Sequence, residues 1–321
     1  MSGARVGMIG ALSVFAVMVA PALAQPKKPP PPPTASHSAT DNRDLAYGAF
    51  QRGYYLTAIA EATKRAQKND PAAMTLLGEI YAQGLGVGRD DVKAAQWYKL
   101  AAAHGDRDAM FALAMFDFEG RGGSRNPDEA AKMLAAAAKL GHAAAAYDLG
   151  LLYLQGQQFP QDFMRAAELF QQAANAGNAE AQYALATMYK DGRGVAKDAV
   201  EAARLMQLAS ISGNVDAMVE FAIAQFNGNG TPKDEAAASK LFLIAARRGS
   251  AIAQDRLSRI LMAGRGVPAD ATEAVKWHMI AKAGGASDPE LDMFTDKQTP
   301  QVRDAAQKAA DKWLSTAAPR S

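Results

Sequence analysis

Residues 71–106 read PAAMTLLGEIYAQGLGVGRDDVKAAQWYKLAAAHGD, and the same frame returns 36 residues later, again and again, to residue 286. Glycine recurs at Gly84, Gly120, Gly156, Gly192, Gly228 and Gly264, and a second series runs Gly105, Gly141, Gly177, Gly213, Gly249 and Gly285. Three alanine columns keep the same step. They begin at Ala73, Ala94 and Ala101 and are filled in all six copies. An unbroken period of this length is the mark of a stacked-repeat architecture.

Each copy predicts two helices. The first, helix A, spans Pro71 to Gln83 in copy one, with Leu77, Leu113, Leu149, Leu185, Phe221 and Leu257 as its buried column. The next column is small throughout: Gly78, Ala114, Gly150, Ala186, Ala222, Ser258. A small residue there lets another helix approach closely. Gly84 and its equivalents should end helix A, because glycine accepts the left-handed conformation of a helix C-cap. Helix B should begin at an Asx column: Asp90, Asn126, Asp162, Asp198, Asp234, Asp270. These side chains cap free amides, so the acidic column reads as capping and not as a metal site. Glu129, Glu201 and Glu273, three residues on, predict full capping boxes. No segment alternates like a strand. Pairs of this size cannot bury their apolar faces alone, so the expected fold is an all-α solenoid of stacked helix-turn-helix units, wound as a right-handed superhelix.

The ends break the period. Residues 44–70 form a degenerate N-terminal capping hairpin that keeps Gly48 and Ala58 in register and places Asn69 where the closing glycine belongs. Residues 287–321 supply a C-terminal capping helix, from about Thr299 to Leu314, and a tail. Arg5, the apolar run Val6 to Ala20, and Ala22-Leu23-Ala24 predict a signal peptide over residues 1–24, cleaved before Gln25. Residues 25–43, with Pro29 to Pro33, read as an extended spacer. The mature chain is therefore expected in the periplasm or outside the cell, with no stable membrane insertion.

The copies resemble the Sel1-like repeat family, relatives of the tetratricopeptide repeats. The resemblance rests on A-x-x-x-L-G-x-x-Y-x-x-G-x-G-V over Ala73 to Val87 and K-A-x-x-W-Y-x-x-A-A-x-x-G over Lys93 to Gly105. Some copies depart from it. The tyrosine column runs Tyr81, Asp117, Tyr153, Tyr189, Gln225, Leu261, and copy three replaces its loop with Gly156 to Pro160. The resemblance implies a concave groove lined by helix A, and a role as an adaptor in protein complexes. Exported bacterial relatives include regulators of envelope signalling and exopolysaccharide production, host-interaction factors, and cysteine-rich proteins described as weak β-lactamases.

If the groove geometry of tetratricopeptide repeats applies, positions five, nine and twelve of helix A face inward. They place Phe111, Met115, Phe118, Tyr147, Leu151 and Leu154 on one strip, continued by Tyr183, Ile223 and Phe226. An apolar strip of this kind suits a peptide or helix of a protein partner.

The alternative is an envelope enzyme or glycan-binding protein, and the residues argue against it. The chain has no cysteine, which removes thiolate chemistry. His37, His104, His142 and His278 include no pair at metal-ligand spacing, and neither S-x-x-K nor K-T-G occurs. No cofactor fingerprint is present. A net charge of +2 gives no field for nucleic acid. The reading is a monomeric or weakly oligomeric binding scaffold, without catalytic, cofactor or metal residues.

Overall fold

The computed structural model describes residues 44–317. The expected signal peptide, the expected proline spacer and the last four residues lie outside the described residues. Within them there are sixteen helices and no strand. The six copies supply twelve, each of thirteen residues: α3 (Pro71–Gln83) and α4 (Asp91–Ala103), α5 (Arg107–Glu119) and α6 (Pro127–Lys139), α7 (Ala143–Gln155) and α8 (Phe163–Asn175), α9 (Ala179–Asp191) and α10 (Ala199–Ile211), α11 (Val215–Asn227) and α12 (Glu235–Arg247), α13 (Ala251–Ala263) and α14 (Ala271–Ala283). Each helix packs on its neighbours in sequence, as a one-dimensional array requires.

The columns explain why. The helix-ending glycines all sit at positive φ, between 65° and 79°, in the C-cap position. The small column of helix A faces a ring where it is glycine. A Cβ on Gly78 would lie 2.6 Å from Tyr98, and one on Gly150 would lie 2.6 Å from Phe170. The core between helices is largely alanine, with Ala94, Ala101, Ala109 and Ala130 fully buried. Such a core brings helix axes close and leaves no room for larger side chains, which cost about 1–3 kcal/mol when forced in.

The Asx column caps helix B as expected. Each side chain accepts an amide of the first turn, Asp90 from Lys93 at 2.9 Å and Asp234 from Ala237 at 2.8 Å. The full capping boxes do not form. The backbone amides of Asn126, Asp198 and Asp270 already donate to carbonyls of Asp117, Tyr189 and Leu261 on the preceding helix A. With that donor occupied, Glu129, Glu201 and Glu273 turn outward to Lys132, Arg204 and Lys276.

A second capping column lies one residue before each helix A. Asp70, Asp106, His142, Asn178, Asn214 and Ser250 all accept the amide of the invariant alanine three residues on. His142 does this through Nδ1, at 3.0 Å. It is therefore the neutral tautomer with its proton on Nε2. Burial, the largest influence on it, lowers its pKa.

Copies are also latched through their loops. Arg121 reaches back to Asp91 at the start of α4 (2.7 Å) and lies over the Phe116 ring. Arg265 does the same with Glu235 and Phe226, and Arg193 lies over Phe163. The second loop glycine, Gly122, Gly194, Gly230 or Gly266, presses against the first turn of the preceding helix B.

At the N-terminal end, α1 (Leu45–Gln51) and α2 (Tyr55–Ala66) form the expected hairpin. Ala58 is fully buried, and Asn69 takes positive φ (61°) in place of the closing glycine. Gly48 does not play its registered part. It lies inside α1, and Gly53 at φ 78° makes the turn instead. At the other end the sequence reading misses a short helix, α15 (Pro289–Asp296), capped by Asp288. The final helix α16 (Pro300–Ala317) then packs on α14 with Trp313 edge-on to Trp277. It covers Ile280, whose counterparts Leu208 and Ile244 stay exposed in the middle of the array.

Candidate functional site

The inner positions of helix A form the candidate site. Phe111, Met115, Phe118, Tyr147, Leu151 and Leu154 all pack on one core cluster, which runs from copy two into copy five. None of them is fully exposed, and none is fully buried. The structure therefore brings six of the nine expected residues together, as side chains with one flank in the core. Ile223 and Phe226 belong to a separate cluster towards the C-terminus. Tyr183 stands between the two groups, half-buried.

The rings are fixed by particular partners. Phe111 stacks on His142 with centroids 4.5 Å apart, so the cap of α7 also holds the first ring of the strip. Asp108 lies 3.6 Å from the same imidazole. Tyr147 leans on the buried Phe170 at 5.6 Å. Burial raises the phenol pKa of both Tyr147 and Tyr183, and nearby carboxylates raise it further, Asp148 and Glu180 for the first and Glu220 and Asp216 for the second.

Asp148 is a feature the sequence reading missed. Burial alone pushes its pKa up to about 6, and no hydrogen bond or ion pair with a described residue compensates it. Lys190 at position twelve of copy four pairs with Glu220 at position six of copy five, at 2.9 Å. In register, Asp148 at position six of copy three corresponds to Glu220, and Phe118 at position twelve of copy two corresponds to Lys190. The strip thus carries one uncompensated acid among its apolar side chains.

Towards the C-terminus the inner face carries three arginines, two of them paired with carboxylates. Ile223 and Phe226 border a cavity of about 330 Å³ with Arg256, Arg259 and Arg265. Arg265 lies over the Phe226 ring at 4.2 Å, and Arg259 is tied to Asp255, Asp288 and Glu290. Burial is the largest influence raising the pKa of Asp255, followed by the charge of Asp288.

The most exposed large apolar residues are elsewhere. Met164, Val200, Ile211 and Leu56 lie on or beside the second helices of the hairpins. They stand singly, which is ordinary for a protein surface. Among the described residues no helix is long and apolar enough to cross a membrane. No group of three or more His, Asp or Glu is arranged to hold a metal among those residues. His278, which sequence places in the tyrosine of the Trp-Tyr pair, is buried and meets Asp292 of α15 at 2.9 Å, joining the last copy to its cap.

The Sel1 repeat family model matches residues 71–106, 107–142, 143–178, 179–214, 215–250 and 251–284. Among solved structures, a Sel1 repeat protein from Oxalobacter formigenes is 27% identical, with a TM-score of 0.64; the alignment covers 78% of this chain and 100% of that one. A protective antigen present in uropathogenic Escherichia coli strains, displaying an SLR fold, is 24% identical with a TM-score of 0.54 and supports the fold alone. That alignment covers 81% of this chain and 64% of the antigen. No curated protein matches the chain.

Proposed function

We propose a function from one premise: the chain belongs to the Sel1 repeat family. Proteins of this family are generally protein-interaction modules and not catalysts. The chain is a scaffold whose inner face receives an extended peptide or a helix of a protein partner. One observation carries this reading. Six large apolar side chains of copies two and three keep a solvent-facing flank while packing on one core cluster, at positions outside the invariant columns. Apolar and aromatic residues set in a packed frame are the usual anchors of an interface.

Asp148 adds a chemical preference. An uncompensated carboxylate in the strip favours a partner carrying a basic residue among its apolar anchors, since a charge pair at a partly desolvated site is stronger than one in water. Two further parts of the reading rest on other grounds: the N-terminus supports export by residues 1–24, with a mature chain from Gln25 acting in the periplasm or outside the cell, and the resemblance to exported relatives suggests a place in envelope signalling or the control of exopolysaccharide production. A mature N-terminus other than Gln25, read from protein recovered from the envelope fraction, would count against that setting without touching the groove.

The groove itself is tested by site-specific photocrosslinking in the source cell. A crosslinker at Leu154 should trap a discrete protein, and one at Met164, on helix B, should not. Capture from Leu154 should disappear when Phe118 is changed to Asp. Equal capture from both positions would remove the inner face as the site.

A further inference from the structure

Copy two departs from the repeat at three places that converge in space. Copy one has Trp97, Tyr81 and Val87, and the equivalent residues in copy two are Met133, Asp117 and Gly123. One lies on α6, one on α5 and one in the loop between them. Each change removes bulk, and together they open a cavity of about 550 Å³ between α4 and α6, floored by α5. At the corresponding place between copies three and four, Tyr189 and Val195 remain, and the depression measures about 250 Å³. Small-molecule sites span roughly 300–1,000 Å³, so of these two equivalent places the cavity of copy two reaches that range and the other does not.

Its lining has a definite chemistry. Met110, Leu113 and Met133 give an apolar wall, Asp117 and Glu129 present carboxylates, and Lys99 stands exposed at the rim. Glu129 is engaged with Lys132 at 3.2 Å. The Asp117 carboxylate makes no hydrogen bond or ion pair with any described residue, although its own carbonyl is used by Asn126. Burial raises its pKa, with Glu129 adding to the effect and Lys99 opposing it. A half-buried carboxylate without a donor is costly in an apolar setting. A tyrosine, the residue of this column in three other copies, would have filled the space at no such cost.

We propose that this cavity binds a primary alkylammonium group, with the cationic head on Asp117 and the apolar stem along Met110, Leu113 and Met133. The ammonium supplies the donors that Asp117 lacks, and a carboxylate with no cation of its own inside the cavity selects the cation over an anion. The same chemistry is offered by a small free amine and by a lysine side chain of another protein. This site differs from the inner groove: α5 forms its floor, and helix B of copies one and two lines its sides.

The test titrates the full mature chain with n-hexylamine, hexanol and hexanoate, followed by the methionine methyl resonances of Met110 and Met133. Hexylamine should shift both saturably, and hexanol and hexanoate should bind at least about tenfold more weakly. Asp117→Asn should weaken hexylamine about tenfold while leaving the Met218 methyl unmoved. The pair Asp117→Tyr with Gly123→Val should abolish binding. Gly123 has open space around its Cβ position and no positive φ, so valine fits there. An N-acetylated, amidated lysine binding as well as hexylamine would assign the site to a lysine side chain, and much weaker binding would assign it to a free amine. The proposal is overturned if hexanol or hexanoate matches hexylamine, if Asp117→Asn leaves its affinity unchanged, or if no saturable shift occurs.

Discussion

Copies two and four are built on the same frame and have diverged in opposite ways. Both have two thirteen-residue helices, an Asx cap on each helix B, and a Gly-Arg-Gly loop whose arginine reaches back to the preceding copy. Copy four keeps Leu205, Tyr189 and Val195 over that frame, where copy two has Met133, Asp117 and Gly123. The helices, caps and turns are unaffected by the loss. Stacking therefore rests on the alanine and glycine columns, and the larger side chains above them are free to vary. In a quasi-one-dimensional protein, each copy can lose or gain bulk with effects confined to its neighbours.

The comparison breaks most visibly at its glycines. Gly194 and its counterpart Gly122 would each put a Cβ within 2.4 Å of a carbonyl oxygen of the preceding helix B, at positive φ, whereas Gly123, the counterpart of Val195, has nothing within 4 Å. Gly194→Ala should cost about 3 kcal/mol in urea unfolding, as a backbone clash and a strained conformation combine, and Gly123→Ala should cost nothing measurable. Filling copy two should sharpen the contrast in the other direction. Asp117→Tyr with Gly123→Val should stabilise the chain by roughly 1 kcal/mol, because a cavity and a half-buried carboxylate are both removed. The caps should make the two copies equivalent again: Asn126→Ala and Asp198→Ala should each cost about 1 kcal/mol.

The smallest effect expected is one of pH at copy three. His142 caps α7 through an unprotonated Nδ1, and its pKa is lowered in the folded protein. A lowered histidine pKa means that the folded state prefers the neutral ring. Its contribution is therefore complete above the unfolded value, near 6.5, and is lost as pH falls through the folded value. Melting temperature should drop across that window by more in the native chain than in His142→Asn, which keeps a cap that does not titrate there.

The array, the helix bounds and the helix-B caps were legible in the sequence, because each depends on residues only a few positions apart and each is repeated six times. Features that depend on longer-range packing were not, among them α15 and the half-buried Asp148. The helix-A caps escaped notice because their column mixes Asp, Asn, Ser and a histidine, although every member can accept an amide proton. The capping boxes were overpredicted because the competing carbonyl comes from helix A, nine residues before the cap. The cavity of copy two needs three columns, spread from Asp117 to Met133, to meet around one space. The groove residues were named from the sequence, and the structure adds their division into two groups and the acid at Asp148.

The central claim is that the invariant columns carry the fold and the departures on the inner face carry the binding. It is tested most directly by the affinity of the protein trapped through Leu154 for the native chain and for the Phe118→Asp, Leu154→Asp pair, with melting temperatures measured alongside. Both residues are half-buried and neither belongs to an invariant column. The account predicts affinity lowered on the order of a hundredfold in a variant that still unfolds cooperatively as a solenoid. Unchanged affinity in that well-folded variant would contradict it.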